Sequence, residues 1–332
     1  MKIIADKNIP FLDGRFSGTE LIKLPASEIN SEAVKDADAI IVRTRTKCNK
    51  NLLEGSKVRL VTTATIGTDH IDFSWCEKNG ITVRNAPGCN APGVALYVWA
   101  SLLRNGFAPE KSTLGVIGCG NVGSIVAQWG KRLGARVLVC DPPRKEQGFR
   151  DNDYLSLEEV LGKSDAVTFH TPLTYAGKYP TYHMIGENTI KYLKPGAILV
   201  NAARGEVTDN TVLINGIENG IISKAIIDTW EREPDINARL LELADIATPH
   251  IAGYSVEGKQ RATRMVLEAI RDNIGIYVDL DGLADHYREP HELNKDIITK
   301  AYDPEKITQS LKKHPASFES LRNSYTLHSE II

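Results

Sequence analysis

The sequence predicts an α/β protein with mostly parallel sheets. Short β-branched runs alternate with amphipathic stretches along most of the 332 residues, which is the pattern of repeated βαβ units. At roughly 150 residues per domain, this length suggests two domains. The hydrophobic fraction of 42% and the charged fraction of 25% are those of an ordinary globular protein, so the composition argues against extensive disorder.

The charge balance and the cysteines narrow the class of protein. Forty Lys and Arg against 42 Asp and Glu give a net charge of −2, which disfavours nucleic-acid and membrane-surface partners. The longest strongly apolar stretch, Val94 to Leu103, is about half the ~20 residues needed to span a bilayer, and Asp6 comes too early for a secretory signal. Five cysteines without a C-x-x-C pair indicate neither a disulfide framework nor a cysteine metal site. We therefore expect a cytoplasmic protein without a metal.

The first quarter of the chain contains four predicted strands, each ending in a polar or Gly/Pro-containing segment. A helix is expected next, from Val94 to about Leu103, because Gly106 and Pro109 follow its apolar run. The strands are Lys2–Ala5, Ala39–Val42, Leu60–Thr63 and Ile81–Val83.

A second series of six apolar runs follows. Five of the six end in a polar, Gly or Pro residue, and six strands with intervening helices are the content of a doubly wound dinucleotide-binding domain. The runs are Leu114–Ile117, Arg136–Cys140, Ala166–Phe169, Ile198–Asn201, Ala225–Asp228 and Ile246–Thr248.

The end of the chain changes character. A helix is predicted from Glu257 to Ile276, and residues 285–332 are polar with two short helix candidates. One begins at Asp303-Pro304, an N-cap followed by proline, and the other carries Phe318, Leu321 and Tyr325. A segment of this size is marginal for a core of its own, so we expect it to dock on another subunit.

The strongest local motif is Gly118-Cys119-Gly120-Asn121-Val122-Gly123. It follows an apolar run, opens a helical stretch from Ser124 to Leu133, and is followed by a β-branched run that ends in Asp141. This strand–turn–helix–strand–acid order is the context that dinucleotide binding requires. The glycines permit the turn and the approach of a pyrophosphate, and Asp141 can accept hydrogen bonds from ribose hydroxyls. NAD is favoured over NADP, although Arg144 nearby is a feature that suits a 2′-phosphate.

Three charged residues follow three successive predicted strands in this domain. Arg204, Glu233 and His250 come after the runs that end at Asn201, Asp228 and Thr248. Ligands bind outside the carboxyl ends of such strands, so these side chains could converge. A histidine can remove the proton of a hydroxyl, a carboxylate can orient its ring, and an arginine can hold a substrate carboxylate. Each residue alone also suits a surface or structural role, and their common placement favours catalysis.

These motifs resemble the D-isomer-specific 2-hydroxyacid dehydrogenases. The likeness is carried by residues 118–254 with the Arg–Glu–His order and by segments 1–6, 63–72, 86–91, 140–144 and 248–258, and it extends weakly into the tail. It implies two Rossmann-like or flavodoxin-like domains with parallel sheets and a small C-terminal appendage. Residues 1–93 and 254–284 would form the substrate domain, 94–253 the NAD-binding domain and 285–332 a dimerisation segment.

The resemblance also assigns residues to roles. The catalytic set would be Arg204, Glu233 and His250, with His250 exchanging the substrate proton. Positions that match substrate contacts are Thr44, Thr65 and Tyr254. Positions that match NAD contacts, beyond the glycine motif, are Asp141, Thr171, Ala202, Ala203, Asp228 and Gly253.

The implied reaction is the NAD-dependent oxidation of 4-phospho-D-erythronate, a small phosphorylated sugar acid, by a homodimer in pyridoxal 5′-phosphate synthesis. Another D-2-hydroxyacid (glycerate, lactate or 3-phosphoglycerate) and a non-catalytic NAD-sensing interaction protein are the alternatives. The phosphate needs cations, and Arg43, Arg45 and Lys47 would share one side of an extended segment. We expect at least one of them, Arg43 in the first place, to contact the phosphate. A solvated basic edge is the alternative.

Overall fold

The computed structural model describes residues 1–331 and confirms the predicted fold class. All the sheet pairings are parallel, and the strands lie in two sheets. In chain order the strands are β1 (Lys2–Asp6), β2 (Glu20–Leu24), β3 (Ala39–Val42), β4 (Leu60–Thr63), β5 (Thr82–Arg84), β6 (Thr113–Ile117), β7 (Arg136–Cys140), β8 (Ala166–Phe169), β9 (Ala197–Asn201), β10 (Ile222–Ile227) and β11 (Ile246–Ala247).

The helices, apart from short 3-10 turns, are as follows. They are α1 (Ser31–Val34), α2 (Lys50–Leu53), α3 (Phe73–Lys78), α4 (Ala91–Arg104), α5 (Asn121–Arg132), α6 (Pro142–Glu146), α7 (Leu157–Lys163), α8 (Asn210–Glu218), α9 (Ala238–Leu243), α10 (Val256–Ile274), α11 (Lys295–Ala301), α12 (Glu305–Lys313) and α13 (Phe318–Asn323). Among residues 1–331, none of these helices has the length and apolar character that crossing a bilayer demands.

The chain folds into two compact units. One consists of Met1–Asn90 with Ser255–Arg288, and the other of Ala91–Tyr254 with Glu289–Ile332. The chain passes from the first unit to the second after Asn90 and returns after Tyr254, next to the predicted boundaries at 93 and 254. The tail predicted as a separate segment from 285 instead belongs, from Glu289 onward, to the second unit.

The first unit has a five-stranded sheet in the order β2-β1-β3-β4-β5, which is the flavodoxin-like order. Its strands β3 and β4 are buried throughout, as central parallel strands are: β3 is a continuous apolar run, and β4 ends in two buried threonines, Thr62 and Thr63. Helix α10 covers one face, where Val266, Leu267 and Ile270 are buried with Ile3 and Ile41 of the sheet.

The second unit has a six-stranded sheet in the order β11-β10-β9-β8-β6-β7. A parallel bridge between Val139 and Tyr154 adds a further segment beside β7. The chain therefore moves outward from β6 through β7 and then crosses back to place β8 on the other side of β6. This reversal is the topological switch point at which doubly wound sheets bind ligands.

The C-terminal tail is buried against its own chain. Ala247 donates its N–H to Thr308 Oγ1 at 3.1 Å, and Leu311 and Phe318 lie in the apolar core of the second unit. The tail was expected to dock on another subunit, whereas Leu311 and Phe318 pack in the core of their own unit and Thr308 bonds the edge strand β11.

Candidate active site

Three glycines shape the turn between β6 and α5, each for a different reason. Gly118 has a φ of +87°, and a Cβ there would lie 2.9 Å from the backbone of His170. A Cβ on Gly123 would lie 1.9 Å from the carbonyl oxygen of Gly118, so α5 packs directly on the turn. A Cβ on Gly120 would meet nothing within 4 Å. The open side of the turn is therefore at Gly120, where a phosphate can approach the backbone.

The surroundings of this turn suit NAD. Helix α5 begins at Asn121 with no side chain capping its first amides, which leaves the N–H groups of Asn121, Val122 and Gly123 for an anion. Thr171, two residues beyond the end of β8, has a buried hydroxyl that finds no hydrogen-bond partner within residues 1–331. Thr171 Cγ2 lies 3.0 Å from the Cβ position of Gly118, so this unpartnered hydroxyl borders the turn. An orphaned polar atom beside a cradle of free amides fits a polar cofactor.

Asp141 ends β7 and is tied to the same turn. Its Oδ2 accepts the N–H of Cys119 at 2.7 Å and its Oδ1 accepts the N–H of Arg144 at 3.1 Å. A carboxylate has lone pairs left after two such bonds, so it can still accept from two ribose hydroxyls.

The side chain of Arg144, the residue that would favour a 2′-phosphate, is already bound by other residues. Its guanidinium donates to Tyr154 at 3.1 Å and to Asp151 at 3.0 Å, and it lies 3.9 Å from the centre of the Phe149 ring. Breaking these contacts would oppose the binding of NADP, and Asp141 would repel its phosphate.

Two alanine substitutions separate the roles of the glycines. In Gly120→Ala the methyl group enters open space, so we expect the free energy of unfolding to change by only about 0.5 kcal/mol. The dissociation constant of NAD should rise about tenfold or more, because the methyl lies where the pyrophosphate approaches. Gly123→Ala should lose about 2 kcal/mol or more of stability as well. Urea denaturation and NADH fluorescence titration measure both, and wild-type NAD affinity in Gly120→Ala would contradict this assignment.

Arg204 is presented by a tight turn after β9. The buried Asn201 holds this turn, donating from Nδ2 to the carbonyl of Arg204 at 2.9 Å and accepting the N–H of Ala203 at 3.2 Å. Gly205 lies against the next loop so closely that a Cβ would be 2.0 Å from the carbonyl carbon of Trp230. The absence of a side chain at Gly205 thus brings the turn of Arg204 against the loop that carries Glu233.

Asp228 organises the loop after β11. Its buried carboxylate accepts from Thr248 Oγ1 at 2.6 Å and from the N–H groups of Ile251 and Ala252 at 2.8 and 3.0 Å. Burial raises the pKa of Asp228, against the charge of His250 and these hydrogen bonds. The carbonyl of Asp228 also accepts the N–H of His250 at 2.9 Å. Asp228 therefore fixes the backbone around His250, and Gly253 lies at the end of the same loop.

Glu233 and His250 form a direct pair. Nδ1 of His250 lies 2.8 Å from Oε2 and 3.0 Å from Oε1 of Glu233, and Oε1 also accepts the N–H of Trp230 at 3.0 Å. Burial alone would raise the pKa of Glu233, but the charge of His250 and the hydrogen bonds from His250 and Trp230 outweigh it and hold that pKa below its usual value. Glu233 is thus a carboxylate that orients the ring and leaves Nε2 of His250 to exchange a proton.

His250 has a φ of +57°, which is uncommon for a residue with a side chain. The bonds from its N–H to the carbonyls of Asp228 and Thr248 hold it there. Strained conformations of this kind are retained where the surrounding structure over-determines them, and they cluster at active sites.

The predicted substrate residues of the first unit follow neighbouring strands. Thr44 is exposed after β3, and Thr65 lies after β4, where its hydroxyl donates to the carbonyl of Gly67 at 3.0 Å. The basic run does not stay extended, because the N–H of Thr46 bonds the carbonyl of Arg43 in a turn. The alternation that would place Arg43, Arg45 and Lys47 on one side is therefore wrong, although Arg43 is still half-buried at the edge of the sheet.

Two further polar groups were not predicted. Arg322, on α13, lies with Nη1 3.8 Å from Oε2 of Glu233 and donates from Nε to Tyr254 Oη at 3.2 Å. His183 lies between two carboxylates, with Nε2 2.6 Å from Glu231 and Nδ1 3.3 Å from Asp209. A charge on the apolar face of a tail helix was the available signal for Arg322, whereas no sequence pattern marks the partners of His183.

Neither His170 nor any cluster of potential metal ligands among the described residues adds to this site. Burial lowers the pKa of His170 to about 3, and its ring bonds Thr168 at 3.0 Å, so it is neutral and unsuited to act as a base. Within residues 1–331, no three His, Cys, Asp or Glu side chains lie together in a way that could hold a metal ion.

Comparison with known proteins decides the family. Residues 95–252 match the family described as D-isomer specific 2-hydroxyacid dehydrogenase, NAD binding domain. Erythronate-4-phosphate dehydrogenase of Bacteroides fragilis is 43% identical over 99% of this chain and 97% of that protein. The chain belongs to this dehydrogenase family. The enzymes of the same name from Bacteroides thetaiotaomicron and Enterobacter sp. are 44% and 42% identical, over 99% and 98% of this chain and 97% and 91% of their own lengths.

Solved structures of D-2-hydroxyacid dehydrogenases have a similar fold. D-lactate dehydrogenase of Aquifex aeolicus, complexed with NAD and lactic acid, superposes with a TM-score of 0.68 at 28% identity, over 83% of this chain and 96% of that one. The NAD⁺-bound 3-phosphoglycerate dehydrogenase of Entamoeba histolytica gives 0.67 at 25% identity, over 87% of this chain and 99% of that one. The protein is therefore an NAD-dependent D-2-hydroxyacid dehydrogenase, and the second unit is its NAD-binding domain. The alternative of a non-catalytic sensor is not needed.

Proposed function

We propose that this dehydrogenase oxidises the 2-hydroxyl of 4-phospho-D-erythronate to the 2-oxo acid, which would place it in pyridoxal 5′-phosphate synthesis. The observation that carries the chemistry is the Glu233–His250 pair at the carboxyl ends of the sheet in the NAD-binding domain. The choice of substrate is supported by relatives of that name, which match this chain over almost its full length.

His250, Glu233 and Arg204 would each have a separate role in the reaction. Nε2 of His250 takes the proton of the 2-hydroxyl, and Glu233 stabilises the imidazolium that results. Arg204, half-buried beyond β9, would hold the substrate carboxylate through paired hydrogen bonds and polarise the reacting oxygen. The second unit would hold NAD, whose nicotinamide would supply the acceptor for the hydride that leaves C2 of the substrate. In the reverse direction His250 returns the proton as a general acid.

The remaining contacts belong to the same proposal. Thr44, Thr65 and Tyr254 would contact the sugar acid, with Arg43 on the phosphate. Gly118, Gly120, Asn121, Val122, Gly123, Asp141, Thr171, Ala202, Ala203, Asp228 and Gly253 would contact NAD.

A panel of acids tests the substrate. Purified protein is given NAD with 4-phospho-D-erythronate, D-erythronate, D-glycerate, D-lactate or 3-phosphoglycerate, and NADH formation is followed at 340 nm. We expect kcat/KM to be highest for 4-phospho-D-erythronate, and at least tenfold above D-erythronate, because the phosphate adds charge-assisted hydrogen bonds. A higher kcat/KM with an unphosphorylated acid would keep the chemistry and overturn the substrate.

We further propose a cytoplasmic homodimer. Five buried free cysteines suit a reducing compartment, and the homodimer is supported by the family resemblance. Light scattering tests the assembly, and a mass of 36.6 kDa at working concentration would refute the dimer.

A further inference from the structure

A cationic side chain of the C-terminal tail, Arg322, lies next to the Glu233–His250 pair. Helix α13 is anchored by Phe318, which is buried in the core of the second unit. One turn later on the same face stands Arg322, with a side chain only 17% exposed. The tail therefore holds the Arg322 guanidinium in a largely buried position and not in solvent.

This guanidinium contacts two residues of the site at once. Nη1 lies 3.8 Å from Oε2 of Glu233, the oxygen that also receives Nδ1 of His250 at 2.8 Å. Nε donates to Tyr254 Oη at 3.2 Å, and the Tyr254 ring meets the edge of Tyr325 at a centroid distance of 6.2 Å. Neither contact touches the reacting atoms, so any effect on the reaction passes through Glu233 and Tyr254.

We propose that Arg322 is a positioning residue of the dehydrogenase, which makes the C-terminal tail part of the active site. Its two contacts have two separate consequences. The charge keeps Glu233 ionised and fixed against His250, and the Nε bond holds the hydroxyl of Tyr254 towards the substrate. This inference rests on the proposed function, since it concerns the same reaction.

The charged groups around Glu233 give the direction of the electrostatic effect. They are His250 on the loop after β11 and Arg322 on α13, and the buried Asp228 lies beneath the backbone of His250. Arg322 contributes to the lowered pKa of Glu233. Removing this positive charge favours proton uptake by the pair, so the acid limb of kcat/KM for oxidation should move to higher pH.

The test compares Arg322→Gln and Arg322→Lys with Lys313→Gln, which removes an exposed cation from the same tail. We expect Arg322→Gln to lower kcat about tenfold, raise KM and move the acid limb upward. Arg322→Lys should restore the acid limb, because the charge returns, but should keep the raised KM, since a lysine cannot span both partners. Lys313→Gln should behave as wild type.

A second readout needs no substrate. The titration midpoint of the Glu233 carboxyl group, followed by carbon NMR in the protein without cofactor, should rise in Arg322→Gln and return in Arg322→Lys, because Arg322 contributes to the lowered pKa of Glu233. An unchanged midpoint and acid limb in Arg322→Gln, or the same changes in Lys313→Gln, would overturn the proposal. If 4-phospho-D-erythronate is not oxidised, the proposed substrate fails while the titration still decides the role of Arg322.

Discussion

His250→Asn is expected to lower kcat about 10³-fold while leaving the fold and NAD binding in place. The loss is that of a positioned general base, which typically contributes between 10² and 10⁴. Asparagine is chosen because it tolerates the left-handed backbone, and His250 has a φ of +57°. Steady-state rates, NADH titration and thermal unfolding together separate lost chemistry from lost structure.

His183→Asn is the matched control for that variant. His183 also has a positive φ, of +47°, and lies 2.6 Å from a glutamate, Glu231, in the same domain. We expect its kcat to stay within about tenfold of wild type, because no role at the reacting atoms is assigned to it. Equal losses in the two variants, or a fully active His250→Asn, would contradict the assignment of His250 as the base.

Gly205→Ala should destabilise the protein and inactivate it together. The added Cβ would lie 2.0 Å from the carbonyl carbon of Trp230 and 2.3 Å from the amide nitrogen of Glu231, both backbone atoms that cannot turn aside. The turn of Arg204 and the loop of Glu233 must then separate. We expect the free energy of unfolding to fall by about 3 kcal/mol, with a large loss of kcat/KM.

Gly162→Ala provides the contrast. Gly162 lies inside helix α7, and a Cβ there would be 3.5 Å from the nearest atom, the carbonyl oxygen of Tyr192. An alanine should stabilise the protein by about 0.5 kcal/mol or leave it unchanged. Urea denaturation and initial rates compare the two variants. A Gly205→Ala protein as stable and active as Gly162→Ala would show that the close approach at Gly205 is not needed.

Most strands were predictable because parallel strands are short runs rich in apolar and β-branched residues. The predicted bounds Ala39–Val42, Leu60–Thr63, Arg136–Cys140 and Ala166–Phe169 are those of β3, β4, β7 and β8. Strand β2 was missed, since an edge strand with Glu20 and Lys23 in its five residues has no such run. Strand β10 begins at Ile222, earlier than predicted, because Ser223 and Lys224 interrupt its apolar pattern.

The site residues were predictable only where they follow the carboxyl ends of strands. Glu233 and His250 follow β10 and β11, neighbouring parallel strands whose carboxyl ends share one edge, so their pairing could be anticipated. Arg322 comes from a tail helix whose docking depends on tertiary packing around Phe318. The predicted alternation of Arg43, Arg45 and Lys47 failed because a local hydrogen bond turns the backbone after β3.

The most direct test of the account is a single turnover with 4-phospho-D-erythronate that carries deuterium at C2. Excess protein is mixed with NAD and the labelled acid, and the products are analysed by mass spectrometry. We predict one deuterium on the nicotinamide of each NADH, one 2-oxo acid formed for each, and neither product in His250→Asn on the same timescale. Deuterium that stays in the sugar acid, or NADH that forms without it, would contradict hydride transfer from C2 of this substrate.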